Sequence, residues 1–253
     1  MLYALEQTLR QAGDLAFTES LNVQAKGKSD FVTSTDLVID RYLRQALPDL
    51  IEGSSVLSEE ETPCGDLSGK VFIVDPIDGT TNLMYHMHLS AISCGYAEDG
   101  QLLMAGVYNP FTREMFLAEK GKGATLNGQP IHVNADRTLE EAVLGVEAGP
   151  ATSGEGQRAY FERVFALHIR GRGMRFTGSA ALDLCYTACG RFTASVFHYL
   201  YPWDYAAGWL ILEEAGGRLT LLDSGNAPVM KGRSAPLAAS NGLVHEALLA
   251  AFA

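Results

Sequence analysis

Asp75 and Asp78 stand three residues apart, directly after the apolar run VFIV at residues 71–74. The run predicts a buried strand, and Gly79 with the two threonines after it is typical of a helix entrance. Carboxylates held close at the end of a strand can bind a hard cation such as Mg²⁺, and N–H groups at a helix entrance attract an anion. A cation site beside an anion site predicts magnesium-assisted chemistry on a phosphate group.

The four residues 75–78, Asp-Pro-Ile-Asp, are equally typical of a structural turn. Asp75 would then start a turn at Pro76, and Asp78 would cap the helix that follows. The tetrapeptide alone leaves both interpretations open. The longer string DPIDGTTN, residues 75–82, resembles the signature of the inositol monophosphatase family of magnesium-dependent, lithium-sensitive phosphatases.

Two more strings in the first half are similar to motifs of this family. Residues 30–36, DFVTSTD, match its DxVTxxD string and end on Asp36. Residues 58–61, SEEE, match its GEES turn and put Glu59 at the ligand position. Taken alone, Asp36 is an ordinary acid at a helix entrance, and three adjacent acids are typical of a solvated loop. The resemblance favours a place for both residues in the active site.

A further string lies in the second half, WDYAAG at residues 203–208, and contains Asp204. Taken alone, it predicts a helix that Asp204 caps and Gly216 stops. It is similar to the family's WDxAAG string, and a similar EAGG follows at 214–217. Because the four strings keep the family's order along most of the chain, the chain is identified as a member of the inositol monophosphatase superfamily.

The resemblance implies a centre of two or three Mg²⁺ ions. Its ligands would be Glu59, Asp75, the carbonyl of Ile77, Asp78 and Asp204. Asp75 would be shared between the first ion, with Glu59 and Ile77, and the second ion, with the other two aspartates. A third, weaker ion would use Glu59 and waters. Cations also remove a physical difficulty, since carboxylates that converge on one spot raise one another's pKa values.

The resemblance also implies how the reaction would run. Thr80, hydrogen-bonded to Asp36, would orient and deprotonate a water activated by the metal, and Glu59 would be the third catalytic residue. This water would attack phosphorus directly, so that no covalent phosphoenzyme is needed. The residues expected to contact substrate or phosphate are Gly79, Thr80, Asp78 and Asp204.

Composition bounds the class of protein. With 253 residues, 47% of them hydrophobic, the chain can bury a full core. The net charge of −11 argues against general binding to nucleic acid or to anionic membranes. No apolar run approaches the roughly 20 residues of a membrane span, and the N-terminus does not resemble a secretory signal. The four cysteines form no CxxC pair, which favours free thiols and a cytoplasmic location.

The hydrophobic pattern predicts two halves, about 1–140 and 141–253, with different organisation. The first should contain helices at 2–17 and 37–47, a strand at 55–57, and an antiparallel meander with strands at 89–97, 102–109 and 113–119. The second should alternate strands at 142–147, 173–177, 193–196 and 218–222 with helices at 155–168, 179–189, 204–215 and 243–252. The resemblance implies one unit over 1–253, an α/β fold layered as an αβαβα sandwich of the inositol monophosphatase/fructose-1,6-bisphosphatase type, and commonly a homodimer.

The function implied is Mg²⁺-dependent hydrolysis of a small phosphorylated alcohol or sugar, as in inositol-1-monophosphatases. Related alternatives are fructose-1,6-bisphosphatase, histidinol-phosphatase and 3′-phosphoadenosine nucleotide phosphatase, although DGTTN and PWD look more like the inositol branch. An alternative from a different class is a regulatory protein that keeps the fold without catalysis. The intact set of acids argues against it.

The sequence departs from inositol phosphatases where those enzymes bind the alcohol. They usually place a glutamate seven residues before the WD acid, and counting back from Asp204 gives Phe197. A phenyl ring cannot accept hydrogen bonds from hydroxyls, which predicts weak selectivity for myo-inositol phosphates. A shift of one residue would give the role to His198 instead. The sequence leaves two interpretations open for four residues, contact with substrate or an ordinary surface or packing position: His86, His88, Lys26 and Lys28.

Overall fold

The computed structural model describes residues 1–17, 22–25, 31–60, 67–149, 154–227 and 234–253. The helices within these ranges are α1 Leu2–Leu15, α2 Ser34–Ala46, α3 Thr80–Met84, α4 Glu155–His168, α5 Ala180–Ala188, α6 Pro202–Glu214 and α7 His245–Ala250. The strands are β1 Val23–Ala25, β2 Phe31–Thr33, β3 Ser55–Ser58, β4 Lys70–Asp78, β5 Ala91–Glu98, β6 Gln101–Asn109, β7 Glu114–Glu119, β8 Ala124–Leu126, β9 Gln129–Pro130, β10 Val143–Glu147, β11 Gly173–Arg175, β12 Ala194–Leu200, β13 Arg218–Leu221 and β14 Ala235–Ser240.

Strands β3 to β9 form a seven-stranded sheet in chain order. β3 and β4 are parallel, and every later pair of neighbours is antiparallel. Asp99 and Gly100, between β5 and β6, both have positive φ angles, as do Asn127 and Gly128 between β8 and β9. Two consecutive positive φ angles make the type I′ turn, whose twist matches that of paired strands. The predicted antiparallel meander is confirmed, and it continues for two strands beyond those predicted.

The second sheet has five strands in the order β11-β10-β12-β14-β13. β10 is parallel to β11 and β12, as expected of strands joined through helices, whereas β14 is antiparallel to both neighbours. The sequence pattern does not predict β14, because its sequence APLAAS has little intrinsic preference for a strand. Burial stabilises it instead, since Leu237, Ala238 and Ala239 are fully buried between β12 and β13.

Three apolar clusters show how the elements are layered. One joins α1 and α2 to the large sheet, through side chains such as Leu9, Ile39 and Phe72. A second joins the large sheet to α5 and α6 and then to the small sheet. The third joins the small sheet to α4 and α7. The layers therefore alternate helix, sheet, helix, sheet, helix, and the predicted αβαβα sandwich is confirmed.

Helix α6 is the element that brings the second half to the first. It packs on β4, β5, β6 and β7 of the large sheet and on α5. The approach to α5 is close enough that a Cβ added at Gly208 would lie 2.6 Å from Leu184 Cβ. Both sheets cover this helix, which explains why it is apolar on all sides. Its first turn, with Asp204, is thereby placed at the end of β4.

Some element boundaries differ from those predicted. α2 begins at Ser34, three residues earlier, because Thr33 caps it by accepting a hydrogen bond from Asp36 N. α6 begins at Pro202, which places Asp204 in the first turn of the helix rather than at the cap. Among the described residues, none of the helices combines the length and the apolar character that a membrane span requires.

Candidate active site

The site begins where two parallel strands end. β3 and β4 run in the same direction, with Ser58 opposite Val74, so that Glu59 and Asp75 follow at the same edge of the sheet. Glu59 N donates a hydrogen bond to Val74 O at 3.2 Å, which fixes the chain at this point. The predicted meeting of Glu59 and Asp75 is therefore a consequence of strand register.

A break in the register of β4 brings Asp78 to the same place. Between Asp75 and Asp78 the pairing of β4 with β5 shifts, at the position of Pro76, which has no N–H to give to a ladder. In a regular strand, residues three apart point to opposite faces, and such a shift removes that constraint. Asp75 Oδ1 accepts a hydrogen bond from Ile77 N at 3.0 Å. Both aspartates are buried.

Helix α5, from the second half, holds the carboxylate of Asp78. Asp78 Oδ2 accepts hydrogen bonds from Ser179 Oγ at 2.6 Å and from Ala181 N at 2.7 Å. Ser179 is also the N-cap of α5, where its Oγ accepts from Leu182 N at 3.3 Å. Burial raises the pKa of Asp78 to about 6 against the effect of these bonds. Sequence reasoning gives Ser179 no place in the site, although its position as an N-cap is readable.

Asp204 reaches the site from the first turn of α6. Its Oδ2 accepts a hydrogen bond from Tyr201 N at 2.7 Å. The residue is half-buried, but its carboxyl group faces the interior, and burial raises its pKa well above the ordinary range. The negative charges of Asp78 and Glu59 raise it further. The structure thus brings together the acids of both halves that the sequence predicts.

The donor set fits a divalent cation by its charge and chemistry. Burial, followed by the charges of Glu59, Asp78 and Asp204, raises the pKa of Asp75 well above its usual value. Closely spaced carboxylates of this kind are stabilised by a proton or a cation, and oxygen ligands suit Mg²⁺. No three acidic, histidine or cysteine side chains of the described residues are arranged to hold an ion as they stand. A hydrogen bond from a different residue holds each of three carboxylates. Ile77 N bonds Asp75, Ser179 Oγ bonds Asp78, and Tyr201 N bonds Asp204.

Thr80 and Asp36 form the predicted pair. Thr80 Oγ1 lies 2.9 Å from Asp36 Oδ1 and 3.2 Å from the carbonyl oxygen of Ile77, and it can donate to either. Asp36 Oδ2 accepts from the backbone N–H of Thr33 at 3.0 Å and from the Thr33 hydroxyl. Asp36 is therefore both the acid that completes the helix cap and the partner of Thr80. Burial raises its pKa.

Gly79 turns the chain between β4 and the short helix α3. Its φ angle is +91°, and an added Cβ would lie 2.9 Å from Leu89 O and 3.1 Å from Gly178 O. Only glycine fits without strain at this position. Nearby, Asn82 Nδ2 donates to Leu89 O and to Thr177 O, each at 2.7 Å. Asn82 thereby ties the motif to the second half, a role that sequence reasoning misses.

The structure separates Phe197 from His198. Phe197 is fully buried in the core shared by both sheets. The ring of His198 lies 4.9 Å from that of Tyr160, a residue of the cluster on the other face of the small sheet. The alternative in which His198 replaces the missing glutamate is therefore wrong, because adjacent residues of a strand point to opposite faces.

The two histidines that follow the central motif lie in a turn. His86 and His88 both have positive φ angles in the turn after α3, and His88 stacks on Phe111 with ring centroids 5.2 Å apart. Neither histidine is placed at the acids by any contact among the described residues. Candidates that lie outside the described residues are Lys26, Lys28, Asp30, Glu61 and Cys64.

The fold and the acid group define a class, the layered α/β phosphatases that hydrolyse phosphate monoesters. The sequence model of the inositol monophosphatase family matches residues 1–253, and the chain belongs to this family. It is accordingly a phosphoric monoester hydrolase of a metal-dependent kind.

Relatives agree over nearly the whole chain. An inositol-1-monophosphatase of Caulobacter vibrioides is 36% identical over 241 residues, 94% of this chain and 93% of the relative. The crystal structure of the extragenic suppressor protein suhB from Bartonella henselae has a TM-score of 0.90 at 30% identity, covering 99% of this chain and 97% of that one. A structure of an IMPase/NADP phosphatase complexed with Mg²⁺ and phosphate has a TM-score of 0.84 at 25% identity, covering 98% and 91%.

Proposed function

We propose that the protein is a Mg²⁺-dependent phosphomonoesterase that acts on a small phosphorylated alcohol or sugar. The observation that carries this proposal is the meeting of Glu59, Asp75 and Asp78 from the first half with Asp204 from the second. Carboxylates that raise one another's pKa values favour cation binding, and their hard oxygens favour Mg²⁺. The relative solved with Mg²⁺ and phosphate supports the choice of metal.

The metal ligands proposed are Glu59, Asp75, the carbonyl of Ile77, Asp78 and Asp204, for two or three ions. When bound, the ions supply positive charge for the phosphate oxygens and Lewis acidity for water and leaving group. The protein holds the carboxylates at the junction of β3, β4 and α6. Because Asp78 is anchored to α5 and Asp204 to the start of α6, the set is complete only when both halves are in contact.

Thr80 and Asp36 are proposed to handle the proton of the attacking water. The Thr80 hydroxyl can donate to Asp36 Oδ1, which leaves its oxygen able to accept a hydrogen bond from water. Asp36 takes up the proton, and the burial that raises its pKa suits an acceptor of this kind. The N–H groups of Gly79 and Thr80, at the start of α3, are proposed to bind the phosphate oxygens.

The alcohol part of the substrate is proposed to differ from myo-inositol in its contacts. Phe197 occupies the position of the family's hydroxyl-binding glutamate and is fully buried in the core, so it offers no acceptor to a hydroxyl. We expect measurable but weakly selective hydrolysis of inositol phosphates, with a less polar or differently shaped alcohol preferred.

A substrate panel tests this proposal. Purified protein with Mg²⁺ is assayed for phosphate release from inositol 1-phosphate, fructose 1,6-bisphosphate, histidinol phosphate and a 3′-phosphoadenosine nucleotide. We expect release from more than one of them and its loss on addition of EDTA. A strong preference for inositol 1-phosphate over all others would contradict the Phe197 argument. Absence of release from every phosphate ester would contradict catalysis and favour a regulatory protein.

We further propose a homodimer located in the cytoplasm. Phe161, Phe165 and Phe176 are exposed and line one apolar groove along α4, and exposed aromatic side chains of this kind are typical of protein interfaces. Cys94, Cys185 and Cys189, the described cysteines, are free thiols, which suits a reducing compartment. Analytical ultracentrifugation of the wild type and a Phe165→Ser variant tests the dimer, which the variant should weaken.

We also propose that residues 1–253 unfold as one unit. The bonds of Asn82 to Thr177 and of Asp78 to Ala181 join the two halves, and α6 lies between the two sheets. Unfolding in urea should show one transition by tryptophan fluorescence and circular dichroism alike. Two separated transitions would contradict the proposal.

A further inference from the structure

Glu147 is a half-buried acid beside the site that the proposed reaction does not use. It is the last residue of β10, and its Cα is paired with that of Phe197 on the neighbouring parallel strand. Gly145, two residues before Glu147, lies against α5, since a Cβ added at Gly145 would lie 3.1 Å from Asp183 Cγ. Phe197, the partner of Glu147 on β12, is buried in the core that α5 and α6 share with both sheets. Glu147 is therefore on the face of the small sheet that looks toward the acids.

The position of Glu147 is rigid. Tyr160 Oη lies 3.0 Å from Glu147 O and 2.9 Å from Val196 O, which binds the end of β10 to β12. Glu147 Oε1 accepts hydrogen bonds from Ala148 N at 3.1 Å and Gly149 N at 3.2 Å. Among the described residues, Oε2 has no hydrogen-bond partner. The backbone thus holds one carboxylate oxygen of Glu147 in place.

The neighbours of Glu147 place it on one side of the site. Its negative charge contributes to the raised pKa values of Asp78, Asp183 and Asp204. The acids that most affect Asp75 are Glu59, Asp78 and Asp204, and Glu147 is not among them. Glu147 therefore lies on the side of Asp78 and Asp204, and in an in-line displacement the leaving alcohol lies opposite the attacking water. The Thr80–Asp36 pair, which handles water, approaches from helix α2 of the first half.

The chemistry of a carboxylate decides which part of a substrate it can bind. A phosphate group is anionic and would be repelled by Glu147. A hydroxyl donates a hydrogen bond, and bonds from a hydroxyl to an ionised acceptor are stronger than bonds between neutral groups. We propose that Glu147 Oε2 accepts hydrogen bonds from hydroxyl groups of the substrate's alcohol. Because Glu147 is on β10 and not at the Phe197 position on β12, it would select a polyol of a different shape from myo-inositol. This inference rests on the proposed phosphomonoesterase function.

The test compares polyol phosphates with a phosphate ester that has no hydroxyl groups. For wild type and Glu147→Gln, kcat/KM is measured with glycerol 2-phosphate, glucose 6-phosphate and inositol 1-phosphate, and with phenyl phosphate as the reference. The amide oxygen of the Gln variant takes the backbone N–H groups, which turns an NH₂ donor toward the alcohol. The ratio of kcat/KM for the best polyol phosphate to that for phenyl phosphate should fall by about 10- to 100-fold.

Two further variants control this experiment. Glu147→Asp keeps a carboxylate and should recover part of the ratio. Glu119→Gln removes the same charge at the other end of the large sheet, where Glu119 pairs with Met104 while Asp78 pairs with Ala91, and should leave the ratio unchanged. An equal fall for all substrates, or an unchanged ratio in Glu147→Gln, would overturn the inference while leaving the phosphatase proposal intact. Wild-type protein that releases no phosphate from any ester would instead overturn the proposed function, and the inference with it.

Discussion

Ser179→Ala removes one hydroxyl that has two structural roles. Ser179 Oγ donates to the buried Asp78 carboxylate at 2.6 Å and accepts from Leu182 N at 3.3 Å. A hydrogen bond to a charged group is worth about 1.5–3 kcal/mol, and an N-cap about 1 kcal/mol. Because both depend on the same atom, they do not simply add. We expect the free energy of unfolding to fall by about 2–3 kcal/mol.

The same change should weaken metal binding. Asp78 keeps the bond from Ala181 N but loses the one that orients it from the side chain. Loss of a hydrogen bond to a metal ligand typically costs about 10- to 100-fold in metal affinity or activity. The Mg²⁺ concentration for half-maximal phosphate release should rise within that range. Ser179→Thr, which keeps the hydroxyl, should recover most of the affinity.

Urea unfolding in EDTA and phosphate release against Mg²⁺ concentration measure the two effects. Ser54→Ala is the matched control, because Ser54 Oγ donates to Ile51 O at 2.7 Å in a half-buried turn before β3. That variant should change stability slightly and leave the Mg²⁺ dependence as in wild type. If Ser179→Ala shows the same Mg²⁺ dependence as Ser54→Ala, the role assigned to the Ser179 hydroxyl is refuted.

The turn at Gly79, the buried side chain of His245 and the proposed second metal position each allow a further test. Gly79→Ala should lower the free energy of unfolding by about 3 kcal/mol. Gly53→Ala is the control and should cost about 1 kcal/mol, because Gly53 also has a positive φ but no atom lies within 4 Å of an added Cβ. Equal losses for the two variants in urea unfolding would contradict the effect assigned to close packing at Gly79. Burial lowers the pKa of His245 from 6.5 to about 4, so the unfolded chain binds the extra proton and stability should fall as pH drops from 6.5 to 4, by up to about 3 kcal/mol. His245→Gln should show a smaller fall over that pH range, and an identical fall would refute the assignment. Li⁺ at millimolar levels should inhibit by occupying the proposed second metal position, and unchanged rates across a Li⁺ titration at limiting Mg²⁺ would count against it.

The local part of the site is readable from the sequence. Asp75, Asp78, Gly79 and Thr80 lie within six residues, so one string carries the strand end, the turn and the helix start. The bond between Thr80 and Asp36 is also anticipated, although only through the family resemblance. Helix α4 has the predicted bounds, because its polar entrance and apolar spacing are local signals.

The contacts that complete the site depend on packing over long separations. Ser179 meets Asp78 across 101 residues, and Asn82 meets Thr177 across 95, because α5 lies between the two sheets. No spacing in the sequence reports this arrangement. β14 is missed for a related reason, since its alanines form a strand only because β12 and β13 flank it.

Phosphate release by Asp204→Asn as a function of Mg²⁺ concentration tests whether the acid from the second half completes the proposed metal site. Asp204 is the acid that the second half supplies, and the change removes its charge while keeping its size. Asp99→Asn is the matched control, because Asp99 lies in the exposed turn between β5 and β6, where its Oδ1 accepts a hydrogen bond from Gly69 N. We predict that wild type and Asp99→Asn respond alike to Mg²⁺ and lose activity in EDTA. Asp204→Asn should lose about a hundredfold or more in turnover. Wild-type turnover by Asp204→Asn at low Mg²⁺, or undiminished wild-type activity in EDTA, would contradict the proposed metal site.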